Sequence, residues 1–496
     1  MRHRRLAARP GDAHGGERRR RVPVKGSRQP RQRRPRGRHH HLRGIDAQAF
    51  DRAFAHNSHG ARRDGVEREI VPVHRVAGDA DEDVAAASTA LEPVLRWTAS
   101  ITKSFGRGQS SRTFGAQDTG SLVVQGQLIA ELLLYDFGAT ALGIEAAKET
   151  VLATRQTLVS IEQQVMLRAV QAYMGMVETN EFVDLRKNNV RLLTQELRAA
   201  RNRFEVGEVT RTDVALAEAR LAQAQSGLAT AQGNLQRAIE EYTNVVGRNP
   251  GALTSPPSAP KVANSEASAK ALAVRNHPDL VAAQHQVKAA ELNILRAKAA
   301  VSPRVTANGR LTASDTLNSS NYTRDGSIGI EVGGVIYQGG ALASGVRRAM
   351  ASRDAQRGNL HIIQRDVKQN VGNAYAQLSS VRSSLMASEE RIKAARVAFR
   401  GVREEATLGA RTTLDVLDAE QELLDAEASR ISAQADLYVA AYSVLQSTGR
   451  LTARDLRLNV PLYDASAYYD LVKTAPVTRS KQGAKLDRVL KALQKD

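Results

Sequence analysis

Residues 207–214, Gly-Glu-Val-Thr-Arg-Thr-Asp-Val, recur as Gly-Ala-Arg-Thr-Thr-Leu-Asp-Val at 409–416, an offset of 202. The same offset, without a gap, pairs Tyr135 with Tyr337, Gly138 with Gly340, Ala172-Tyr173 with Ala374-Tyr375, Ala217-Glu218 with Ala419-Glu420, and Gly247 with Gly449. Such a chain is two copies of one unit, which fixes the architecture before any single residue is interpreted. Each copy reads as a strand ending in Tyr, a very long helix, the glycine turn, and a second helix returning to a closing glycine.

The division that follows is 1–95 ahead of the repeats, 96–250 as the first repeat, 251–264 as a Pro-bearing linker, 265–462 as the second repeat, and 463–496 as a weakly periodic tail. Ala, Leu, Gln, Glu and Arg dominate the repeats, and only 4% of residues are aromatic. That mixture with helical periodicity belongs to long helices or coiled coils. Without a cysteine there is no disulfide framework, thiol catalysis or Cys-ligated zinc. No run of about 18 apolar residues occurs, which excludes a spanning helix but not a barrel, whose alternating strands score weakly.

The net charge of +19 is concentrated at one end. Residues 1–43 hold 16 Lys and Arg against 2 Asp and Glu, or +14, leaving +5 for the other 453 residues. A basic arm binding nucleic acid is therefore an argument about that segment alone, and for residues 1–95 as a whole an unstructured solvated tail is the plainer reading. A third is that residues 1–95 come from a shifted frame or misplaced start. The second repeat has a helix ahead of its strands, Asn276 to Ala300, whereas Glu69-Ile70-Val71-Pro72-Val73-His74 onward has none of its pattern. No secretory signal with a short apolar core is visible either.

Each repeat carries an alternating hairpin. Val124, Gly126, Leu128, Ala130, Leu132 and Leu134 share one face of a strand over 121–135, partnered by a strand from Thr98 to about Phe105. Ile328, Ile330 and Val332 do likewise after a strand over 304–311, with the Ser-, Asn-, Asp- and Thr-rich stretch 312–326 expected as the loop between. Such strands are long enough to cross a bilayer when tilted, although a soluble half-buried hairpin shows the same alternation.

After Gly138 the period turns helical to about Glu205, roughly 67 residues and thus a rod near 100 Å long. Ile161, Val165, Ala169, Ala172 and Met176 form its apolar seam, and Ile363, Val367, Val371, Ala374 and Leu378 repeat it at the same offset. Spacings of 3 and 4 with small Ala predict coiled-coil-like packing. Gly207 and Gly409 suit the left-handed position that ends a helix. Thr210 and Thr412 suit N-caps, with Asp213 and Asp415 completing a Thr-x-x-Asp capping box.

Two copies of hairpin, rod and Gly-x-x-Thr-x-x-Asp-Val turn, together with His277-Pro278-Asp279-Leu280 and Ala300-Val301-Ser302-Pro303-Arg304-Val305, resemble the TolC-like outer-membrane channel family. The resemblance covers roughly residues 96–462, and Thr412 to Glu420 is its most specific segment. It implies a fold of the mostly α, α+β class: a tandem repeat of long helical hairpins with two β-hairpins, contributing four strands to a trimeric 12-stranded barrel in the outer membrane. A tunnel of helices would continue across the periplasm. Physics independently asks for an oligomer, because four strands leave two edges that cannot face lipid. Two subunits would give an 8-stranded barrel largely filled by its own side chains, and three give an open one.

The resemblance also assigns a site. In the family the helix turns close the periplasmic end, and Arg411, Asp415 and Asp418 match positions carrying a salt-bridge partner and two acidic rings. Thr212-Asp213 match the facing turn of the first repeat, and Gly207, Thr210, Gly409 and Thr412 the tips that dock a periplasmic adaptor. Asp415 and Asp418 lie three apart, on one helix face, and threefold symmetry would stack them as carboxylate rings that concentrate cations. Asp213 and Asp415 also sit in helix first turns, where a carboxylate is favoured regardless. Asp418 and Arg411 have no such excuse, because the first repeat holds Leu216 and Val209 there. Ala406 departs from members that carry a gate Tyr at this position.

No enzyme constellation competes. His277, His285 and His361 are scattered, expected on the surface, and give no His-x-x-x-His pair; the glycines near Gly329 lack a following Gly-Lys-Ser/Thr. Neither metal nor cofactor is expected. The expected function is a passive outer-membrane exit duct for tripartite efflux or type I secretion, partnered by copies of itself, lipid, an adaptor and an inner-membrane pump, with no nucleic acid. The rival is a soluble periplasmic coiled-coil adaptor.

Overall fold

The computed structural model describes residues 78–105, 107–108, 117–118, 121–251, 258–263, 265–317, 320–460 and 464–473, all within one unit spanning Ile45–Asp496. The readings of the basic segment 1–43, and of the tail after 473, lie outside these residues. The elements in order are α1 (78–88), β1 (Val94–Ser104), β2 (Arg107–Gly108), β3 (Gln117–Asp118), β4 (Ser121–Tyr135), α2 (Ala139–Glu205) and α3 (Arg211–Val246). They continue as α4 (Glu266–Asn276), α5 (Pro278–Ala299), β5 (Arg304–Thr316), β6 (Tyr322–Gly333), α6 (Ala341–Thr407), α7 (Thr413–Ser447) and α8 (Ala465–Val472).

The duplication is visible in the backbone. Both rods, α2 and α6, are 67 residues long and start and stop 202 positions apart. Each begins after a left-handed glycine, Gly138 at φ 84° and Gly340 at φ 80°. The seam of α6 runs Val367, Val371, Leu378, Val381, Ser388, Ile392, Ala395, Phe399 and Ala406, all buried at spacings of 3, 4 or 7. A seven-residue repeat kept that long keeps one stripe facing its partner only if the helices supercoil. Ile161, Ile363 and Ala374, expected in the same seam, are half-buried.

The first rod pairs with α3 and the second with α7, and α5 bridges the two rods. Between the repeats, Ala259 and Val262 of the linker pack on the Leu378, Ala440, Ala441 and Val444 cluster. The Tyr375 hydroxyl donates to the Ala263 carbonyl at 2.8 Å.

Three local expectations change. Residues 78–88 are helical, inside the segment expected to be unstructured or foreign to the fold up to 95, and they stand at the repeat offset from 280–290 of α5. Ala80 and Val84, four apart, pack on Val151 of α2, a pair too short to declare a helix by period. The stretch 312–326 is mostly strand, since Thr312 pairs with Asp325 and Ala313 with Arg324. Thr312, Ser314 and Thr316 share one face of the sheet with Thr323 and Asp325 of the neighbouring strand, so polarity there marks a face and not a turn. In the second copy the strand ends at Gly333, and Val335, Ile336 and Tyr337 run on exposed outside the sheet.

Candidate functional site

The four long strands form one antiparallel sheet in the order β1-β4-β5-β6, leaving β1 and β6 as edges. Its register collects the apolar residues of both copies on one face. Trp97 lies opposite Leu128, Leu128 opposite Leu311, and Ile328 and Ile330 opposite Gly309 and Ala307. This face is open: Trp97 is 77% and Ile328 95% exposed, with Leu95, Ile101, Leu311 and Val332 alongside. The other face carries Thr98, Ser100, Gln125, Gln127, Asn308, Thr312, Ser327 and Glu331, with Asn308 donating to Glu331 at 2.9 Å. An uncovered apolar belt of this extent marks a surface meant for lipid or a partner. No helix among the described residues is long and apolar enough to cross a membrane.

The opposite end of each rod is a glycine turn, built twice to the same plan. After α2, the Gly207 amide donates to the Phe204 carbonyl at 3.0 Å and Glu208 to Arg203 at 2.9 Å; after α6, Gly409 donates to Ala406 at 3.2 Å and Ala410 to Glu405 at 2.9 Å. Both glycines are left-handed, at φ 82° and 78°, which a side chain would resist. Thr210 then accepts from the Asp213 amide at 3.3 Å while Asp213 Oδ2 accepts from the Thr210 amide at 2.9 Å. Thr412 and Asp415 repeat this at 3.2 and 3.0 Å. Hydrogen bonds from the Thr412 backbone and hydroxyl, with a smaller pull from Arg411, hold the Asp415 carboxyl below the usual carboxylate range. The Thr210 hydroxyl and amide do the same for Asp213.

The remaining site residues part company. Asp418 does not join Asp415 in one network: its Oδ1 accepts from Arg220 Nη2 of α3 at 2.8 Å. Arg411 reaches back across its own turn, its Nε donating to Glu405 Oε2 at 2.9 Å. Thr212 is an exposed first-turn residue. Ala406 is buried with Phe399 and Val416 in the tip core, so its methyl fills the angle between α6 and α7.

Sequence reasoning missed several partners of these groups. Arg220, Glu405 and an Arg403–Glu196 pair at 3.1 Å were not singled out. Nor was Glu420, buried at 4% exposure between the repeats, where its Oε1 accepts from Asn189 at 3.0 Å. The available signal was that Arg220 stands where the second copy has Glu422, so the charge sign flips between copies. Two histidines are also less exposed than expected. His277 caps α5 by accepting from the Asp279 amide at 3.3 Å, and burial pushes its pKa down. His285 lies 2.7 Å from the buried Glu149 carboxylate. Among the described residues no cluster of His, Asp or Glu has the make-up of a metal site.

A sheet with an uncovered apolar face, carried on paired rods that end in capped turns, defines an outer-membrane channel subunit. The outer membrane efflux protein family model matches residues 77–248 and 270–450, and the chain belongs to that family. It is 34% identical over 396 residues to outer membrane efflux protein BepC of Brucella suis biovar 1, covering 79% of this chain and 85% of that one. It is 26% identical over 311 residues to alkaline protease secretion protein AprF of Pseudomonas aeruginosa, covering 60% and 64%. The crystal structure of the outer membrane protein VceC from Vibrio cholerae superposes with a TM-score of 0.64 at 18% identity, over 77% of this chain and 95% of that chain. The resemblance to TolC-like channels therefore holds, and the protein is an outer-membrane channel of the kind used in efflux or type I secretion. The family consists of channels and not enzymes.

Proposed function

We propose that three copies close one 12-stranded barrel and continue it as a helical tunnel, a passive exit duct that hydrolyses nothing and carries no cofactor. The observation that carries this is the sheet: one face apolar and open, the other polar, with unpaired edges at β1 and β6. Unpaired backbone cannot face hydrocarbon, so β6 of one copy must meet β1 of the next. The polar face then lines water and the apolar face meets lipid.

At the far end, Gly207, Thr210, Gly409 and Thr412 shape the turns that a periplasmic adaptor would grip, and an inner-membrane pump would supply the energy. Asp415 and Asp418, with Asp213, Thr212 and Arg411 beside them, form the constriction. Because Arg220 already takes one oxygen of Asp418, that ring carries less free charge than its carboxylates alone suggest. Reading the duct as one for efflux follows the name of the Brucella relative, and reading it as one for protein secretion follows that of the Pseudomonas one.

The test is conductance of the purified full chain in a planar bilayer, beside its mass in mild detergent. A trimer with stepwise unitary currents is expected, and Asp415→Ala with Asp418→Ala should change current amplitude and cation preference. A monomer without current would leave a soluble coiled-coil adaptor as the better description.

A further inference from the structure

Glu420 sits in the seam where α7 of the second repeat lies on α2 of the first, between Leu417 and Leu424, which are themselves buried. It lies eight residues past the Thr412 cap, about 12 Å above the tip at 1.5 Å per residue. One carboxyl oxygen accepts from Asn189 of α2; the other, Oε2, is buried without a partner. An unmet acceptor of this kind is costly, and more so if charged.

The duplication shows how the residue came to be isolated. Its counterpart Glu218 is exposed and accepts from Arg201 at 2.6 Å within the first repeat. Arg403, the counterpart of Arg201, points elsewhere and pairs with Glu196 of α2 at 3.1 Å. The second copy thus keeps both members of the Arg–Glu pair and loses the pairing. From α2, Glu420 faces Asn189 and the Glu196 carboxylate; from α6 it faces Arg403, already engaged. From α3, Leu221 and Ala224 pack one turn below around Leu417, and Arg220 is taken by Asp418.

We propose that Glu420 is a proton-operated latch between the two repeats: protonated it lets α7 rest on α2, and ionised it loosens that contact and favours parting of the helices at the tip. Burial is the main cause that raises its pKa from 4.5 to about 7, helped by Glu196 and opposed by Asn189 and Arg403. Below 4.5 the docked and parted states are both protonated and docking is at full strength. Between 4.5 and about 7 only the docked state keeps its proton, so docking weakens as pH rises and is weakest above 7.

This latch rests on the channel reading, and two measurements separate the two ideas. In planar bilayers, the ratio of open to closed time of the wild-type trimer should rise on the order of tenfold or more between pH 5 and 7. Glu420→Gln should hold the low-pH ratio across that range, and Glu218→Gln, its counterpart in the first repeat, should behave as wild type. A Glu420→Gln profile that still follows the wild-type one overturns the latch while leaving the channel standing. Infrared difference spectra of the same protein should show a carboxylic acid band lost on raising pH from 5 to 8 and absent from Glu420→Gln. If no currents appear in any protein, the channel reading fails, and the infrared band alone decides whether Glu420 holds a proton; its absence from wild type overturns the latch as well.

Discussion

The two rods have one length and one seam, yet α2 buries 17 positions and α6 only 9. The difference lies in their neighbours. Besides its own return helix α3, α2 is covered by α5 and by α7 of the other repeat, and α1 adds a patch near Val151. The second rod has α7, one side of α5 and the short α4, and it leaves Ile362, Met386 and Val397 exposed. Duplication copied what a helix fixes for itself, its period and its ends, and left each copy to find different company. The bare flank of α6 is what a neighbouring copy would cover in the proposed trimer.

The seam is the part both copies share, and breaking it should cost most. Met176 and Leu378 stand at the same place in the two rods, each 2% exposed. Met176→Ala and Leu378→Ala should each remove about 2–5 kcal/mol of stability, read as the midpoint of denaturant unfolding in detergent. A loss in one rod and none in the other would show that the seams are alike only in sequence. The sheet gives the next contrast, now between faces. Ile328→Lys should cost about 2–4 kcal/mol near the bilayer midplane, while Ser327→Lys, on the polar face, should cost far less. The measurement is the fraction of protein recovered in outer membranes, and equal losses at 327 and 328 would contradict a lipid-facing belt.

The tip caps sharpen the comparison in the other direction, toward sameness. Their hydrogen bonds match to within about a tenth of an ångström, so Thr210→Ala and Thr412→Ala should each cost about 1 kcal/mol. Faster amide exchange over 211–214 in one variant and 413–416 in the other would report it. A twofold larger effect at Thr412 would mean that its turn is additionally held by Arg411, whose counterpart is Val209.

What the chain discloses about itself follows the same division. Rods, glycine turns and capping boxes are written within a few residues of each other, so spacing alone finds them, and the repeat supplies an independent second copy. The strand over 312–316 was obscured because Ser, Thr and Asp serve turns in a soluble protein and a wetted face in an open sheet; composition cannot separate the two uses. The helix at 78–88 shows only Ala80 and Val84 as a pattern. Least legible are the ties between repeats, because Arg220–Asp418 and Asn189–Glu420 join residues 198 and 231 apart, and neither interval is the repeat offset. Knowing that two halves resemble each other says nothing about how they lean together.

Arg220–Asp418 is also where the smallest stability effect should accompany a functional one. The two side chains are 33% and 59% exposed, and such a pair contributes about 0–1 kcal/mol, less as salt rises. Arg391–Glu422, the pair that uses the Arg220 position within the second repeat, is exposed to a similar degree at 45% and 59%. Arg220→Ala and Arg391→Ala should therefore unfold within about 1 kcal/mol of wild type and of each other. Only Arg220→Ala frees the carboxylate assigned to the constriction, so it alone should raise cation preference in bilayer recordings, most clearly at low salt. If both variants shift the currents equally, Asp418 is an ordinary surface charge and the constriction must be sought at Asp415; if neither does, the acidic ring does not set the current at all.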